Sequence, residues 1–363
     1  MMERIDHHVH FELPYTLDNL LPYIERAKAL QLDELHILDH SHRFVEFKSV
    51  YEEIMSDTTL EGKWIARKFK SSIYDYIEFI KLVKNQDFGI PIKFGIEVCY
   101  FENKEQEIKH VLELYPFDFV IGSVHFIDGF GYDLDNQDYS NVNIDELYKR
   151  YFELEIAAIK SELFSIIGHP DALKLSGINP TIDLYDYYDA LVNEASIYNV
   201  SLDMNSGLYY RYGVNHLGMD TQLIKLAKLY DASLVPSSDA HKYSDLGNHM
   251  DCMLRMCDKQ TTSIECSDNV YITDDFNSFE VYSKNNGKLV DTISFKPHTQ
   301  KGSVMLELHD ILSDIKEFFA YMHEYYHVEH VVAISNEEKS IYEALGMEKI
   351  YSKESINYYN YTF

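Results

Sequence analysis

The stretch IDHHVH at residues 5–10 is the first of seven short apolar runs that end on polar side chains, most of them possible metal ligands. The other six are ELHILDH (34–40), IKFGIE (92–97), FDFVIGSVH (117–125), LFSIIGHPD (163–171), VSLDMNS (200–206) and SLVPSSDAH (233–241). Apolar strands that alternate with helices are typical of a mostly parallel sheet or barrel. The seven runs therefore predict a mostly parallel sheet or barrel.

Helical periodicity fills the gaps between these runs, so strand and helix alternate over roughly residues 1–250. The periodic segments are 17–31, 72–84, 104–114, 144–162, 183–198 and 220–230. Together with the apolar runs they make seven β/α units. The sequence thus predicts an α/β barrel.

The pattern changes after residue 256, and we expect three regions: a barrel over 1–256, a polar linker over 257–269 and a small α+β module over 270–363. In the module we expect a turn at 285–288 and helices at 310–326 and 336–345. The expected strands are 278–283, 289–296, 302–308, 329–334, 347–351 and 356–363.

The charge, the cysteines and the motifs of the chain limit its possible binding partners and its cellular compartment. The formal charge of −28 repels nucleic acid and anionic membranes, so we expect neither as a partner, while homo-oligomers stay possible. No signal peptide or long apolar span is visible and the four cysteines form no disulfide pattern, so we expect a cytoplasmic protein. Neither a GxxxxGK[ST] nor a GxGxxG motif is present, so a nucleotide-binding P-loop or Rossmann site lacks support.

The strand ends supply six histidines and two carboxylates, and chemistry in such barrels gathers where the strands end. Eight ligands are too many for one catalytic zinc, which takes about three protein ligands. We therefore predict a site of two or three divalent metal ions. Its predicted ligands are His8, His10, His40, Glu97, His125, His169, Asp239 and His241.

Spacing supports several of these assignments. His8 and His10 are two apart on a strand and face the same side, as do Asp239 and His241. We favour His40 over Asp39, which points the other way if the strand persists. Taken singly, each histidine could be a hydrogen-bonded barrel residue, but the whole set argues against that interpretation. Glu12 continues the alternation and is either a ligand or a solvated loop acid.

The chain resembles the polymerase-and-histidinol-phosphatase (PHP) superfamily of metal-dependent phosphoesterases, and most closely its histidinol phosphatases. The matching motifs, in family order, are DHHVH (6–10), LDH (38–40), GIEV (95–98), GSVHFIDGFGYD (122–133), IIGHPD (166–171), NSGL (205–208) and SSDAH (237–241). The resemblance implies a distorted, TIM-like (β/α)7 barrel with a trinuclear centre of zinc, manganese or iron.

The resemblance also implies how the ligands are shared. Glu97 would bridge two metals, the first held with His8, His10 and Asp239 and the second with His125 and His169. A third would be held by His40, His241 and a ligand from the loop after the first strand. Many family members have His or Asp there, where this chain has Tyr15 and Thr16. Glu12 is the predicted substitute.

The predicted activity is hydrolysis of a small phosphate monoester, L-histidinol phosphate, to histidinol and phosphate, a reaction of histidine biosynthesis. A hydroxide shared by the two bridged cations would attack phosphorus in line. The predicted catalytic residues are Glu97, Asp239, Arg43 and Arg211; the two arginines would bind phosphate bidentately, or are ordinary surface residues. His42 and His216 are candidates for the leaving-group acid or for substrate contacts, and Asn205 is a candidate for orienting a metal ligand or the substrate.

Two other functions compete with this one. An amidohydrolase-like metallohydrolase would usually carry a bridging lysine where this chain has Glu97. A non-enzymatic PHP scaffold would have no need of eight ligands. The tail resembles the second half of a GNAT acetyltransferase, in SNEEKSIYEALGMEKIYS (335–352), but QKGSVM (300–305) matches its coenzyme A loop poorly. We expect a degenerate structural or dimerising module there and no coenzyme A.

Overall fold

The chain is described in a computed structural model over residues 2–213, 217–258, 262–266, 270–274, 279–285, 288–293, 297–300, 303–309, 315–335, 342, 344–353 and 356–363. It divides into two compact units. The first consists of Met1–Gly207 and Gly218–Met250, and the second of Leu208–Leu217 and Asp251–Phe363. Each unit is described by itself below.

The first unit is built on a parallel sheet. Its strands are β1 (Ile5–Asp6), β2 (Glu34–Ile37), β3 (Ile92–Cys99), β4 (Phe119–Ser123), β5 (Phe126–Ile127), β6 (Phe130–Gly131), β7 (Ile166–Ile167), β8 (Ser201–Asn205) and β9 (Leu234–Ser237). β5 and β6 form a small antiparallel hairpin. The other seven make one sheet in the order β1-β2-β3-β4-β7-β8-β9, with every pair parallel.

The sheet closes on itself between β9 and β1. The amide of His7 donates to the carbonyl of Pro236 at 3.1 Å, and the amide of His10 donates to that of Ala240 at 2.8 Å. Val9 and Ala240 pair in a parallel bridge between these two bonds. The first and last strands are therefore neighbours, and the predicted seven-stranded barrel is confirmed.

Nine helices of the described chain precede the tail: α1 (Leu17–Ala29), α2 (Leu60–Ile65), α3 (Ile73–Lys84), α4 (Glu105–Leu112), α5 (Ile144–Lys160), α6 (Tyr185–Tyr198), α7 (Gly207–Tyr212), α8 (Thr221–Tyr230) and α9 (Met250–Cys257). Six of them, α1, α3, α4, α5, α6 and α8, lie within two residues of the predicted segments. Polar side chains cap the N-termini of several of these helices. The side chain of Thr16 accepts a hydrogen bond from the Asn19 amide, and the side chain of Asn143 accepts one from the Glu146 amide. No described helix has both the length and the apolar character to cross a membrane.

Helices outside the barrel and side chains within it bury the strands on both faces. Every residue of β3 from position 94 to 99 is buried, which explains why this run reads as continuously apolar up to Glu97. Leu38, Phe119, Ile121 and Ile166 form one buried cluster between neighbouring strands. The buried apolar residues fix the position of the strand, so the polar residue at the end of such a run also has a fixed position.

The long connection from β2 to α3 has structure that periodicity did not predict. It contains two 3-10 helices, Ser41–Arg43 and Val45–Ile54, followed by α2. Glu46 ties this connection to the start of α3, because its carboxylate accepts the Ser72 hydroxyl at 2.5 Å and the Ile73 amide at 2.8 Å. The connection places its side chains at a defined position beside the barrel.

The second unit contains two sheets and one long helix. The first sheet is antiparallel, in the order β10 (Thr262–Glu265), β11 (Val270–Asp274), β12 (Phe279–Ser283) and β13 (Leu289–Ile293). The second has the order β14-β15-β16-β18-β17, made of β14 (Pro297–Gln300), β15 (Ser303–His309), β16 (Val328–Ser335), β17 (Glu348–Lys353) and β18 (Ile356–Thr362). The helix α10 (Lys316–Tyr326) buries Phe318, Phe319 and Met322.

The linker predicted at 257–269 contains a strand. β10 pairs with β11 from Thr262 opposite Asp274 to Glu265 opposite Tyr271. β10 has Ile264 as its one apolar residue, too short an alternation for the sequence pattern to reveal. The predicted helix at 336–345 falls largely outside the described residues. The domain boundaries and the acetyltransferase likeness remain predictions.

Candidate metal centre

The eight strand-end residues come together at the carboxyl ends of the barrel strands. They fall into three groups, in each of which one ligand atom per residue lies within 4.8 Å of the others. The groups are His8, His10 and Asp239; Glu97, His125 and His169; and His10, His40 and His241. Residues more than 230 positions apart thus meet at one end of the barrel, as the strand pattern predicts.

Glu97 lies at the centre of this cluster and is 2% exposed. Its Oε1 is 3.3 Å from Nε2 of His169 and 3.5 Å from Nε2 of His125. Its Oε2 is 2.6 Å from Nδ1 of His40 and 3.7 Å from Nε2 of His10. The two oxygens of one carboxylate therefore face two different sets of histidines, which is the arrangement that a bridging ligand needs.

The His8 group tests whether these residues fit a cation. Nε2 of His8 lies 3.1 Å from Nε2 of His10, which in turn lies 3.1 Å from Oδ1 of Asp239. Ligands about 2.1 Å from one tetrahedral ion lie roughly 3.4 Å apart, so these distances suit a shared metal ion. Two imidazole nitrogens facing each other beside a carboxylate are the donor set that divalent ions prefer, and the residues fit such an ion.

Burial lowers the pKa of two histidines of the cluster, whereas neighbouring carboxylates outweigh burial and raise the pKa of His8 and His169. Burial, with His40 and His241 nearby, lowers the pKa of His10 well below its usual range, so its imidazole is neutral and has a lone pair to donate. Burial also lowers the pKa of His125. For Glu97, burial alone would raise the pKa, but His40 and the hydrogen bond from His169 outweigh it and hold the pKa well below 4.5. The central carboxylate is therefore ionised.

Asp203 is a functional candidate that sequence reasoning missed. Its Oδ2 accepts Nδ1–H of His8 at 3.0 Å and the amide of His169 at 3.2 Å, and all three residues are buried. It thereby orients one imidazole and fixes the backbone of another. The available signal was a carboxylate in the apolar run VSLDMNS, two residues before Asn205. Asn205, which the sequence did single out, donates to Asp239 Oδ2 at 3.3 Å.

Two of the cluster residues have left-handed backbones. His169 has φ +33° and Asp239 has φ +50°, a region that non-glycine residues rarely occupy. Asp6 supports the second of these turns, because its carboxylate accepts the Ser238 amide at 2.9 Å and the Gly247 amide at 2.9 Å. The backbone is held in an unfavourable conformation at the positions where it aims a ligand into the cluster.

Glu12 lies outside the three groups. Its carboxylate pairs with the guanidinium of Arg43 at 2.9 Å and is 41% exposed. Nε of Arg43 is also 3.5 Å from buried Asp39, which accepts the Tyr15 hydroxyl at 2.6 Å. The structure therefore places Glu12, Arg43, Asp39 and Tyr15 in one polar network beside the cluster, and it does not bring Glu12 together with the eight ligands.

The remaining site residues that the sequence predicted lie in different parts of the structure. Arg211 lies on α7 in the second unit, with its guanidinium 5.9 Å and 5.4 Å from the rings of Tyr210 and Tyr212. The ring of His42 stacks on that of His40 at 4.5 Å. His216 lies outside the described residues. The phosphate-binding roles predicted for Arg43 and Arg211 remain predictions.

The fold and the cluster match a known family. The family model for the PHP domain matches residues 6–207, more than half of the chain. The chain therefore belongs to the PHP domain family, and the matched region contains six of the eight predicted ligands.

One relative is a Deinococcus radiodurans protein named "Probable histidinol-phosphatase", 28% identical over 178 residues. The aligned part is 48% of this chain and spans 66% of that relative's length.

Two solved structures share the fold. One is histidinol phosphate phosphatase (HISK) from Lactococcus lactis, complexed with zinc, L-histidinol and phosphate. It has a TM-score of 0.50 and 19% identity, covering 67% of this chain and 88% of that one. The other is a Listeria monocytogenes protein, hisK, assigned as a histidinol phosphatase. It has a TM-score of 0.56 and 20% identity, covering 67% and 97%. At these identities the likeness shows the fold alone.

Proposed function

We propose that the chain is a metal-dependent phosphomonoesterase that hydrolyses L-histidinol phosphate to L-histidinol and phosphate. The observation that carries the proposal is the convergence of eight metal-ligand side chains, with Glu97 at their centre, at one end of the barrel. Membership of the PHP family supports it, as do the name of the Deinococcus relative and the zinc, L-histidinol and phosphate held by the Lactococcus structure.

The cluster would hold two or three divalent ions: zinc, manganese or iron. His8, His10 and Asp239 would hold one, and His125 and His169 another, with Glu97 shared between them. A third would lie against His40 and His241. When bound, these ions would supply Lewis acidity and an activated water for attack on phosphorus.

The residues of the chain prepare the site for that chemistry. The ionised carboxylate of Glu97 and the side chain of Asp239 would neutralise part of the charge of the cations. Asp203 holds His8 in the tautomer that presents Nε2 to the cluster. Glu97, His8 and His10 are almost fully buried, so little bulk water competes for these positions.

The electrostatics of the chain suit a phosphate ester that also carries an amine. A formal charge of −28 opposes the approach of an anion, so the phosphate must be attracted by cations within the site. The same acidic surface favours an ammonium group on the leaving alcohol. Asp133 follows the β5–β6 hairpin, and its charge acts on His125 together with that of Glu97, so an acidic residue lies near this part of the site.

Phosphate release from a panel of esters tests the proposal. Metal-loaded protein is assayed with histidinol phosphate and with p-nitrophenyl phosphate, and a Glu97→Gln preparation controls for contaminating phosphatases. We expect histidinol phosphate to be hydrolysed with kcat/KM above ~10⁴ M⁻¹s⁻¹. If it is no better than the aryl phosphate, the substrate assignment fails and the phosphoesterase class survives. If loaded protein cleaves no ester, the class fails as well.

A further inference from the structure

The single tryptophan of the chain lies at the edge of the metal centre. Trp64 is on α2, and its ring centroid is 4.9 Å from that of His42 and 5.6 Å from that of Phe126. His42 follows the ligand His40 by two residues, and Phe126 directly follows the ligand His125. The indole therefore spans the two loops that leave these strand ends.

Lys68 lies over this indole. Its Nζ is 4.4 Å from the centroid of the Trp64 ring, which is a cation–π contact, and the side chain is half-buried. Successive distances of 4.4, 4.9 and 4.5 Å connect Lys68 to Trp64, Trp64 to His42, and His42 to His40. Edge and face contacts between rings thus connect the ammonium to the edge of the metal cluster.

The charge of Lys68 is less compensated than that of its cationic neighbour. Among the described residues no carboxylate lies within 4.0 Å of its Nζ, whereas Arg43 pairs with Glu12 at 2.9 Å and contacts Asp39 at 3.5 Å. Burial and the nearby Arg43 lower the pKa of Lys68, partly opposed by Glu12. A half-buried ammonium beside another cation gains stability when an anion binds.

We propose that Lys68, positioned by Trp64, binds the phosphoryl oxygens of the substrate, so the ligand of this subsite is a phosphomonoester dianion. Lysine is suited to this role as a compact charge with three donors on a flexible stem. Arg43, whose guanidinium is committed to two carboxylates, holds the Glu12–Asp39 network instead. The inference rests on the proposed function, since it assigns a residue to the substrate of that site.

Inorganic phosphate, titrated into full-length metal-loaded protein, tests this assignment without turnover. Trp64 provides the signal, because it is the only tryptophan and Lys68 lies over it. We compare wild type with Lys68→Met, and with Lys63→Met as a matched control, because Lys63 is exposed and lies on α2, the helix that carries Trp64. We expect Lys68→Met to raise the Kd for phosphate by about tenfold or more and the control to leave the Kd unchanged. We expect Lys68→Arg to bind phosphate more tightly than Lys68→Met but less tightly than wild type.

Calorimetry of the same titration gives the Kd whether or not the emission of Trp64 changes. An equal Kd in wild type and Lys68→Met overturns the inference, as does the absence of phosphate binding to loaded wild type. These outcomes differ from failure of the proposed function. A protein that binds phosphate through Lys68 but cleaves no ester refutes the enzyme alone, and an active phosphatase indifferent to Lys68→Met refutes the Lys68 role alone.

Discussion

Nδ1 of His8 donates a hydrogen bond to Oδ2 of Asp203 at 3.0 Å, and both side chains are buried. The two residues are 195 positions apart in the sequence: His8 follows β1, and Asp203 lies on β8. With Nδ1 held by this carboxylate, Nε2 is the ring nitrogen that faces the cluster, 3.1 Å from Nε2 of His10 and 3.8 Å from Oδ1 of Asp239. Carboxylate partners of this kind orient metal-binding histidines and raise their basicity.

Changing Asp203 to Asn should therefore lower metal affinity without removing a ligand. We expect a loss of roughly 10–100-fold, since the amide supports the same imidazole less strongly. Chelator competition on the purified variant measures it. Asp186→Asn, an exposed position in the first turn of α6, is the control and should behave as wild type. Equal affinity in the Asp203 variant would show that the hydrogen bond does not matter to the metal.

Replacing Glu97 by Gln keeps its size and removes the charge that faces both sets of histidines. We expect the loss of at least one bound ion and a fall in kcat of ~100-fold or more, a few kcal/mol of transition-state stabilisation. Elemental analysis and phosphate release measure the two effects. A variant with normal metal content and near-normal turnover would mean that Glu97 is not a bridge.

Glu12→Gln separates two roles for this acid. The sequence predicts a loop ligand, while the structure pairs Glu12 with Arg43 at 2.9 Å. With the carboxylate in that pair, we expect the variant to keep the metal content of wild type, because no ligand of the cluster is changed. Elemental analysis of both proteins, purified side by side without chelator, decides the point. Loss of one ion would restore Glu12 as the ligand.

Glu155 predicts a dependence of stability on pH. It is fully buried on α5, and burial, with Asp171 nearby, raises its pKa well above 4.5 although Tyr151 opposes the shift. The stabilisation from its bound proton is complete below pH 4.5 and is lost as the pH rises through the folded-state pKa. The glutamine side chain of the Glu155→Gln variant is neutral at every pH, so the variant does not lose stability in this way as the pH rises.

We therefore expect the free energy of unfolding of Glu155→Gln to improve relative to wild type as the pH rises from about 5 to about 8. Urea denaturation at several pH values measures the difference. Glu153→Gln on the same helix, where the side chain is 56% exposed, is the control and should show no such trend. A pH-independent difference for Glu155→Gln would contradict the prediction.

Sequence reasoning located the barrel and the eight side chains that cluster at its end for the same physical reason. Each ligand ends a buried apolar run, so the run fixes the strand and the strand end fixes the direction of the ligand. The register of β2 and β3 shows this directly, since His40 and Glu97 form a parallel bridge. A pattern within one strand was enough to predict both the element and the convergence.

Features that depend on contacts between distant segments were not predictable in this way. Asp203 is one acid within an apolar run, and its role appears only when β8 is placed beside His8. Trp64 and Lys68 belong to a connection of 3-10 turns and one short helix that has no sustained periodicity. Glu12 was assigned from spacing on its own strand, without its Arg43 partner from the next connection.

The metal content of the purified protein shows whether the cluster around Glu97 is a multinuclear metal centre. Full-length protein, purified without chelator, is analysed for zinc, manganese and iron against protein concentration. The three groups of ligands predict two or three ions per chain. Protein that is folded yet binds no metal, or only one ion per chain when all three metals are supplied, would contradict the claim.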